Sequence, residues 1–460
     1  MTPDPQTPDP QDDTEAGPEA DGLLALEVEL IRRAPESQIE PSLDRVRAVL
    51  DLMGSPERSF PSIHVAGTNG KSSTTAMIDS LLTAHGLRTG RFTSPHLETV
   101  RERIRLDGEL IDSGSLLAAW EDLAPFIALV EADGGRALTF FEVLTLLAFA
   151  AFADAPVSVG VVEVGLGGAW DSTNVIDPPV GVVMPIGMDH MDWLGDDLAT
   201  IAGQKAGIIK AGMVVVIAEQ DPIASDVLLE RAAEVGATVF REGVDFGILQ
   251  RQVAVGGQML TIKGVGGTYE DVFLPLHGEH QARNAACALV AVEAFLGGGT
   301  AALEGDPVGE GFASVSVPGR LEVIRRCPTV LLDVAHNPHG MEALAEAVTD
   351  AFAFSRLVGV VGVLSDKDAE GILSVLEPLL AEVVITRSNS PRAVDPDDLG
   401  ALAIDIFGED RVIIEHSLPN AIEQAVTAAE DSGDLGGVGV LVTGSVTVVG
   451  EARSLLRSHR

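Results

Sequence analysis

The segment "IHVAGTNGKSSTTAMIDSLL" at residues 63–82 places a Gly-Lys-Ser triplet between an apolar run and a helical pattern. A strand that ends at Gly67, followed by a helix that begins near Lys71, would aim backbone N–H groups and the positive helix end at an anion. The lysine would reach the outer phosphates of a nucleotide, and either following serine would offer a hydroxyl to Mg²⁺. The sequence therefore predicts a phosphate loop with contacts from Gly67, Thr68, Asn69, Gly70, Lys71, Ser72 and Ser73.

A carboxylate and a second lysine are further candidates for this chemistry. Glu163 follows an apolar strand pattern and precedes "GLGG", so its side chain would emerge at the carboxyl edge of a sheet, where the sites of α/β proteins lie. Carboxylate and hydroxyl oxygens are the ligands that Mg²⁺ prefers. The chain has five lysines beside 25 arginines, and Lys205 is one of the five. A lysine retained in such a composition indicates a position that needs an amine.

Short β-branched runs alternate with helical patterns, which predicts an α/β fold with a mostly parallel sheet covered on both faces. In the first half the predicted strands are 62–67, 158–165, 180–187 and 213–218, and the predicted helices are 70–85, 113–132, 139–153, 198–209 and 221–235. Glycine-punctuated alternation at 243–275 predicts a small antiparallel meander, and a helix at 279–296 closes it.

The alternation restarts after a glycine-rich stretch at 297–311 that is typical of a linker. Five strand patterns from "TVLLDVA" to "GVGVLVTG" then predict a second, Rossmann-like α/β domain. The predicted division is a disordered acidic tail at 1–22, a phosphate-loop domain at 23–311 and the second domain at 317–460. Residues 300–317 would be the hinge between the two domains.

The composition of the chain argues against some classes of binding partner. The formal net charge of −39 argues against nucleic acid or a membrane surface as a general partner. No apolar run has the length of a membrane span, and the N-terminal residues lack the pattern of a secretory signal. Cys287 and Cys327 form neither a disulfide framework nor a metal-ligand spacing. These features predict a cytoplasmic protein, which we expect to be a monomer.

Val65 makes the phosphate loop distinctive, because the common pattern G-x-x-x-x-G-K-[ST] has its first glycine there. The form "AGTNGKSS" instead resembles the Mur ligase superfamily. Within it, the chain is most similar to the bifunctional dihydrofolate synthase/folylpolyglutamate synthase family. The resemblance runs from about residue 42 to 453 and rests on "TSPHLETVRERI", "TFFEVLTLLAF", "VEVGLGGAWDSTN", "MDHMDWLG", "QKAGIIK", "GEHQARNA", "PGRLEV", "LDVAHNPHG" and "GSVTVVGEAR".

The resemblance implies roles for particular residues of this chain. Metal ligands would be Ser94, Glu163 and His190, with Ser72 left open as a further ligand, and two Mg²⁺ ions are expected; the identity of any monovalent ion stays open. The catalytic set would be Lys71, His190 and Lys205, the last as a carbamylated lysine. The second half of the ATP site would be Asn284, Arg320 and Asp333. The pteroate side would be Thr139, Phe140, Phe141, Glu142, Trp170, Asp171 and Ser172, and the glutamate side His336 and Lys367.

The implied reaction is ATP-dependent amide formation. ATP would phosphorylate a carboxylate of dihydropteroate or of a folate, and the amine of L-glutamate would displace the phosphate. A Mur-type cell-wall ligase and a phosphate-loop ATPase regulator are the alternatives. A dinucleotide dehydrogenase is disfavoured, because "GLGG" does not complete G-x-G-x-x-G. The chain also departs from the family pattern at Ala169, where an arginine is common, and this change could shift the preference between the two carboxylate substrates.

Overall fold

The computed structural model describes residues 17–33, 41–132, 136–430 and 437–458. An eight-stranded sheet forms the centre of the first domain, in the order β4-β3-β2-β5-β1-β6-β7-β8. Its strands are β1 (Ser62–Ala66), β2 (Thr89–Phe92), β3 (Ile104–Leu106), β4 (Glu109–Leu110), β5 (Val159–Glu163), β6 (Val180–Val183), β7 (Val214–Ile217) and β8 (Thr238–Arg241). β2, β5, β1, β6, β7 and β8 are parallel, whereas β3 and β4 add an antiparallel edge. The predicted α/β fold with a mostly parallel sheet is confirmed.

Helices cover both faces of this sheet, because each presents an apolar face to β-branched strands that are buried on both sides. They are α1 (Pro18–Arg32), α2 (Asp44–Met53), α3 (Lys71–Ala84), α4 (Ser113–Ala132), α5 (Phe140–Asp154), α6 (Met191–Leu194), α7 (Leu198–Ala206), α8 (Pro222–Val235), α9 (Glu279–Gly297) and α10 (Gly305–Ala313). The helix predicted at 198–209 ends at Ala206, where Gly207 is the C-cap. The other predicted helices of the first half lie within one residue of their expected bounds.

Two predicted boundaries differ from the structure. Helix α1 begins at Pro18, inside the stretch predicted as a disordered tail, because Leu26 and Leu30 bury their side chains in the core around α4 and α5. Residues 1–16 lie outside the described residues. The predicted linker at 297–311 contains most of α10, whose Val308 and Phe312 are buried against α3. Burial of this apolar face outweighs the glycines of the segment.

The predicted meander is a three-stranded antiparallel sheet of β9 (Gly247–Ala254), β10 (Gly257–Lys263) and β11 (Thr268–Leu274). Helix α9 packs against α3 and against the meander, and joins the meander to the phosphate-loop domain. Its buried stretch from Ala285 to Val292 has almost no exposed surface. The meander is therefore fixed to the side of the first domain by the helix that was predicted to close it.

A six-stranded sheet organises the second domain, in the order β12-β13-β17-β14-β15-β16. Its strands are β12 (Glu322–Arg326), β13 (Thr329–Leu332), β14 (Arg356–Val361), β15 (Glu382–Ile385), β16 (Val412–Ile414) and β17 (Val438–Thr443), and its helices are α11 (Pro338–Ala351), α12 (Ala369–Leu376), α13 (Pro396–Phe407), α14 (Leu418–Glu430) and α15 (Val446–Ser458). All pairs are parallel except β12–β13. Two apolar clusters flank the sheet, one on each face, as expected of a Rossmann-like domain.

Among the described residues, α4 alone has the length and hydropathy that a membrane-spanning helix would need. It packs against α1, α2 and α5, with Leu116, Leu123 and Ile127 buried in the core of the first domain. This packing explains part of its apolar composition, since 22% of the apolar window is buried.

Candidate active site

A cavity of about 1090 Å³ lies between the two domains, and most of the site residues predicted from the sequence line it. Of the predicted site residues, the structure places these on its wall: Gly67, Thr68, Asn69, Gly70, Lys71, Ser72, Ser73, Ser94, Thr139, Phe141, Glu142, Glu163, Trp170, Asp171, Ser172, His190, Lys205, Asn284, Arg320, Asp333, His336 and Lys367. Phe140 is the exception. Its ring lies beside Arg103, 5.1 Å from the guanidinium carbon, and it packs with the apolar core around α5.

The phosphate loop has the geometry that its glycines allow. Gly67 has φ 146° and Gly70 has φ 86°, and a Cβ atom on Gly67 would lie only 2.7 Å from the Cβ of Met184. At Gly70 the obstacle would be Asn284, whose Oδ1 would lie 2.8 Å from an added Cβ. Lys71 folds back over the loop, and its Nζ donates to the carbonyls of Gly67 at 3.1 Å and Thr68 at 3.2 Å. The loop thus holds an ammonium ion above backbone amides that begin α3.

Glu163 lies beside this loop because of strand register. β5 is parallel to β1 with Glu163 opposite Val65, so the carboxylate emerges next to the start of α3. The side chain is 1% exposed, its Oε1 accepts from Ser72 Oγ at 2.8 Å, and its Oε2 accepts from the Ser94 amide at 3.3 Å. Burial raises the pKa of this carboxyl group above its ordinary value, and the charge of Lys71 opposes the shift.

The donor set around Glu163 fits a magnesium ion. The charges of Lys71 and Arg320 only partly offset the burial of this carboxylate, whose pKa stays raised, so a further cation would stabilise its charged form. The hydroxyls of Ser72 and Ser94 supply the hard oxygens that Mg²⁺ prefers. His190 lines the same cavity in a left-handed conformation, φ 51°, at the start of α6. Burial lowers the pKa of His190 to about 4, so its imidazole is neutral and able to ligate a metal at neutral pH.

Asp189 connects the two domains across the cavity, and the sequence analysis did not identify it. Its Oδ1 accepts from Lys367 Nζ at 2.7 Å, and its Oδ2 accepts from Asn337 Nδ2 at 3.1 Å. His336 Nε2 lies 3.9 Å from the same carboxylate. Lys367 and the neighbouring histidines hold the pKa of Asp189 well below its usual range. The signal was present in "MDHMDWLG", where this aspartate precedes the histidine that was singled out.

Lys205 is 4% exposed, and its Nζ donates to the carbonyl of Gly67 at 2.8 Å. Burial and the nearby charge of Lys71 lower the pKa of Lys205 to about 7. A substantial fraction of this amine is therefore neutral at neutral pH, and a neutral amine is the form that reacts with carbon dioxide to give a carbamate. The environment of Lys205 suits the carbamylation implied by the sequence resemblance.

The remaining predicted ATP contacts come from helix α9 of the first domain and from the second domain. Asn284, on α9, lies against Gly70, and its Nδ2 donates to Gln281 Oε1 at 3.1 Å. Asp333 follows β13, and its carboxylate accepts from the amides of Leu321 and Ala335, each at 2.8 Å. These bonds order the turn around Arg320. Asp333 therefore shapes the cavity wall whether or not it also contacts a ribose.

The predicted pteroate side lies around the start of α5. Thr139 and Glu142 form a capping box on this helix, and Arg45 makes an ion pair with Glu142 at 3.0 Å. Asp171 is 3% exposed and accepts from the amides of Leu166 at 2.8 Å and Thr173 at 3.0 Å. These carboxylates are thus held in place by local bonds. Phe141 and Trp170 supply flat apolar surface to the wall, and the lining residues that the sequence analysis missed include Arg45, His96 and Arg103.

Two linked α/β domains with a phosphate loop and a buried carboxylate at their junction define a ligase of the Mur type. The Mur ligase middle domain family matches residues 65–292, and the Mur ligase glutamate ligase domain family matches residues 319–446. The dihydrofolate synthase/folylpolyglutamate synthase of Mycobacterium tuberculosis is 50% identical over 94% of this chain and 93% of its own length. The Escherichia coli protein of the same name is 33% identical over 83% and 86%.

Solved structures agree with these sequence matches. The folylpolyglutamate synthase of M. tuberculosis, complexed with ADP and AMPPCP, has a TM-score of 0.91 at 50% identity and covers 95% of this chain and 99% of its own. E. coli FolC in complex with DHPP and ADP has a TM-score of 0.82 at 30% identity, over 97% and 100% of the two chains. The chain belongs to the dihydrofolate synthase/folylpolyglutamate synthase family of Mur ligases, as the sequence resemblance predicted.

Proposed function

We propose that this chain is an ATP-dependent ligase that joins L-glutamate to dihydropteroate, to the γ-carboxylate of a folate, or to both. The observation that carries the proposal is the interdomain cavity of about 1090 Å³, where the phosphate loop and Glu163 of the first domain face His336 and Lys367 of the second. The names of the related proteins and the ADP and DHPP bound to E. coli FolC support the same substrates.

The first step transfers a phosphoryl group. A carboxylate oxygen of the acceptor attacks the γ-phosphorus of ATP, the bond to the β-phosphate oxygen breaks, and ADP leaves. Lys71 and the amides of residues 67–72 hold the phosphates and stabilise the charge that develops on them. Ser94, Glu163 and His190 would hold Mg²⁺, with Ser72 left open as a further ligand, and the bound cation would supply positive charge that neutralises the phosphates. We propose two such ions and a carbamylated Lys205 that adds a carboxylate-like ligand.

The second step forms the amide. The neutral amine nitrogen of L-glutamate attacks the acyl carbon, the bond from that carbon to the phosphate oxygen breaks, and the proton that the nitrogen loses ends on the released phosphate. The Lys367 ammonium and the His336 imidazole face this part of the cavity, and we assign them to the glutamate carboxylates. Because an acyl phosphate is destroyed by water, the closed cavity between two domains protects it. We place the pterin ring on Phe141 and Trp170, in a cytoplasmic and monomeric enzyme.

The test measures ADP formation from ATP with each acceptor, with L-glutamate, and with both together. We expect ADP to form at a substantial rate only when both are present, in equal amounts with the amide product. Dihydropteroate and tetrahydrofolate are compared as acceptors, and a cell-wall nucleotide-sugar serves as the control for a cell-wall ligase. Rapid ATP hydrolysis without an acceptor pair would instead support a phosphate-loop ATPase regulator.

Lys205 provides a second prediction. Replacing it with alanine should lower turnover by about 10²-fold, because a carbamate at this position would supply a carboxylate-like ligand to Mg²⁺, and that ligand would be lost. Acetate in the buffer should restore part of the activity, since a small carboxylate can occupy the space of the missing carbamate. Lys210→Ala is the matched control, because Lys210 bonds backbone carbonyls outside the cavity. Full activity of the Lys205 variant without acetate would contradict the assignment.

A further inference from the structure

A second cavity of about 880 Å³ lies behind the phosphate loop, among α1, the start of α3, the β2–β3 edge and helix α15. It shares part of its wall with the first cavity, through Ser72, Pro95, Arg320 and Val446. Six arginines line it: Arg91, Arg101, Arg105, Arg320, Arg453 and Arg457. In a chain with a formal net charge of −39, such a concentration of arginines is unexpected.

Three glutamates line this cavity, Glu27, Glu98 and Glu102, and the last two make bonds within the protein. Glu98 pairs with Arg453 and Arg457, and Glu322 also pairs with Arg453. The carboxylate of Glu102 accepts the amides of residues 97, 98 and 99. These ion pairs involve the arginines of α15 and not the arginines of the β2–β3 edge.

Arg91 and Arg105 are directly opposite each other in the antiparallel β2–β3 pair, so their side chains lie on one face of the sheet. Like charges in this arrangement repel and destabilise a sheet. Asp79 of α3 is the carboxylate that approaches them, with its Oδ2 3.4 Å from Arg91 Nη1. Glu102 and Glu109 also act on Arg105, but six arginines and three glutamates line the cavity, which leaves an excess of positive charge on its wall.

Some hydrogen-bond donors of this arginine pair also lack acceptors within the described part of the chain. Arg91 is 11% exposed in its side chain, and burial together with the charge of Arg105 lowers the pKa of Arg91 to about 10. The Nε atoms of Arg91 and Arg105 are buried without a hydrogen-bond partner among the described residues. Buried donors of this kind cost free energy unless something accepts from them. Arg105 Nη1 donates to the carbonyl of Gly108 at 2.9 Å, and an anion in the cavity would offset the repulsion between the two arginines through its charge.

We infer that this cavity is a binding site for a small oxyanion, and that its ligand is the phosphate released in the second step of the proposed reaction. Ser72, Ala76 and Asp79 follow one face of α3 from the phosphate loop to Arg91, a path of about 10 Å at 1.5 Å per residue. ADP and the amide product occupy the first cavity when phosphate forms. The arginine-lined cavity offers the phosphate a separate, electrostatically favourable place. This assignment of the ligand rests on the proposed function.

The test titrates inorganic phosphate into the full-length enzyme saturated with Mg²⁺ and ADP, by calorimetry. We expect Arg105→Gln to weaken phosphate binding by about tenfold, the loss that a charge-assisted hydrogen bond typically causes. Arg88→Gln is the matched control, because Arg88 pairs with Asp107 near the same sheet edge but lines neither cavity. In steady-state assays, product inhibition by phosphate should weaken by the same factor in the Arg105 variant alone.

Unchanged phosphate affinity in Arg105→Gln would overturn the inference. So would a raised KM for L-glutamate with phosphate affinity unaltered, which would make the cavity a carboxylate site. If Arg105→Gln does not fold, the same phosphate titration with Arg105→Lys tests the inference. It keeps the charge but loses the planar fork, and we expect a smaller loss than in the glutamine variant, compared with Arg88→Lys. Because phosphate binding is measured without turnover, its failure is distinct from a failure of the ligase to form amide.

Discussion

Replacing Lys71 with alanine is expected to reduce the rate of ADP formation by on the order of 10²–10³, the cost of removing one preorganised charge from a phosphoryl-transfer site. The Nζ of Lys71 lies 3.1 Å from the carbonyl of Gly67, over the loop whose amides face the phosphates. Burial lowers the pKa of Lys71, while the carboxylates of Glu163 and Asp189 oppose that shift. A bound phosphate would favour the charged form of this lysine.

The Lys71 variant is best measured in single turnover with saturating ATP, so that weaker nucleotide binding is separated from slower chemistry. Lys263→Ala is the control, because Lys263 is an exposed lysine on strand β10 of the meander, far from the loop in the fold. We expect the control to match the parent chain. Full turnover in Lys71→Ala would remove the basis for a phosphate loop at residues 67–73.

Local sequence was sufficient to predict the phosphate loop. The strand, the two glycines and the helix are consecutive, and each follows from backbone preferences within about twenty residues. Glu163 was predicted as well, because a strand pattern indicates which edge of a sheet its last residue reaches. The partner strand was not predictable by the same reasoning. Only the register of β1 and β5 places Val65 opposite Glu163 and brings Ser72 within 2.8 Å of the carboxylate.

Contacts between the domains were beyond sequence reasoning from a single chain. Asp189 and Lys367 are 178 positions apart, and nothing local indicates that they meet. The position of Arg91 opposite Arg105 was also not predictable from local sequence, because it depends on the antiparallel edge formed by β3. Two boundary errors have a related cause. Helices α1 and α10 are stabilised by apolar faces that pack on distant elements, whereas composition alone suggested a tail and a linker.

Glu163 gives the second large effect, and it separates activity from stability. Replacing it with glutamine should reduce turnover by about 10²–10³, because the amide is a poor Mg²⁺ ligand and the charge that holds the ion is lost. The same change should stabilise the metal-free enzyme. Burial raises the pKa of Glu163 in the folded chain, so the folded state binds the proton more tightly than the unfolded state does.

The direction of the pKa shift of Glu163 determines how the stability of the metal-free enzyme depends on pH. A group whose folded pKa is raised costs no stability below its unfolded pKa, and its cost grows as the pH rises above that value, up to the folded pKa. Metal-free parent enzyme should therefore lose stability relative to Glu163→Gln between about pH 4 and neutral pH. Mg²⁺ should reverse the difference, since it binds the folded parent and not the variant. Thermal unfolding with EDTA and with Mg²⁺ measures both effects.

Glu57→Gln is the matched control for this experiment. Glu57 is 7% exposed, burial raises its pKa, and it lines neither cavity. Its replacement should change the pH dependence of stability in the same direction, yet leave turnover and the stabilisation by Mg²⁺ at the values of the parent chain. Equal stabilisation of the parent and Glu163→Gln by Mg²⁺ would show that the metal binds elsewhere. The carboxylate beside the phosphate loop would then be a structural group, with its charge balanced by Lys71 and Arg320.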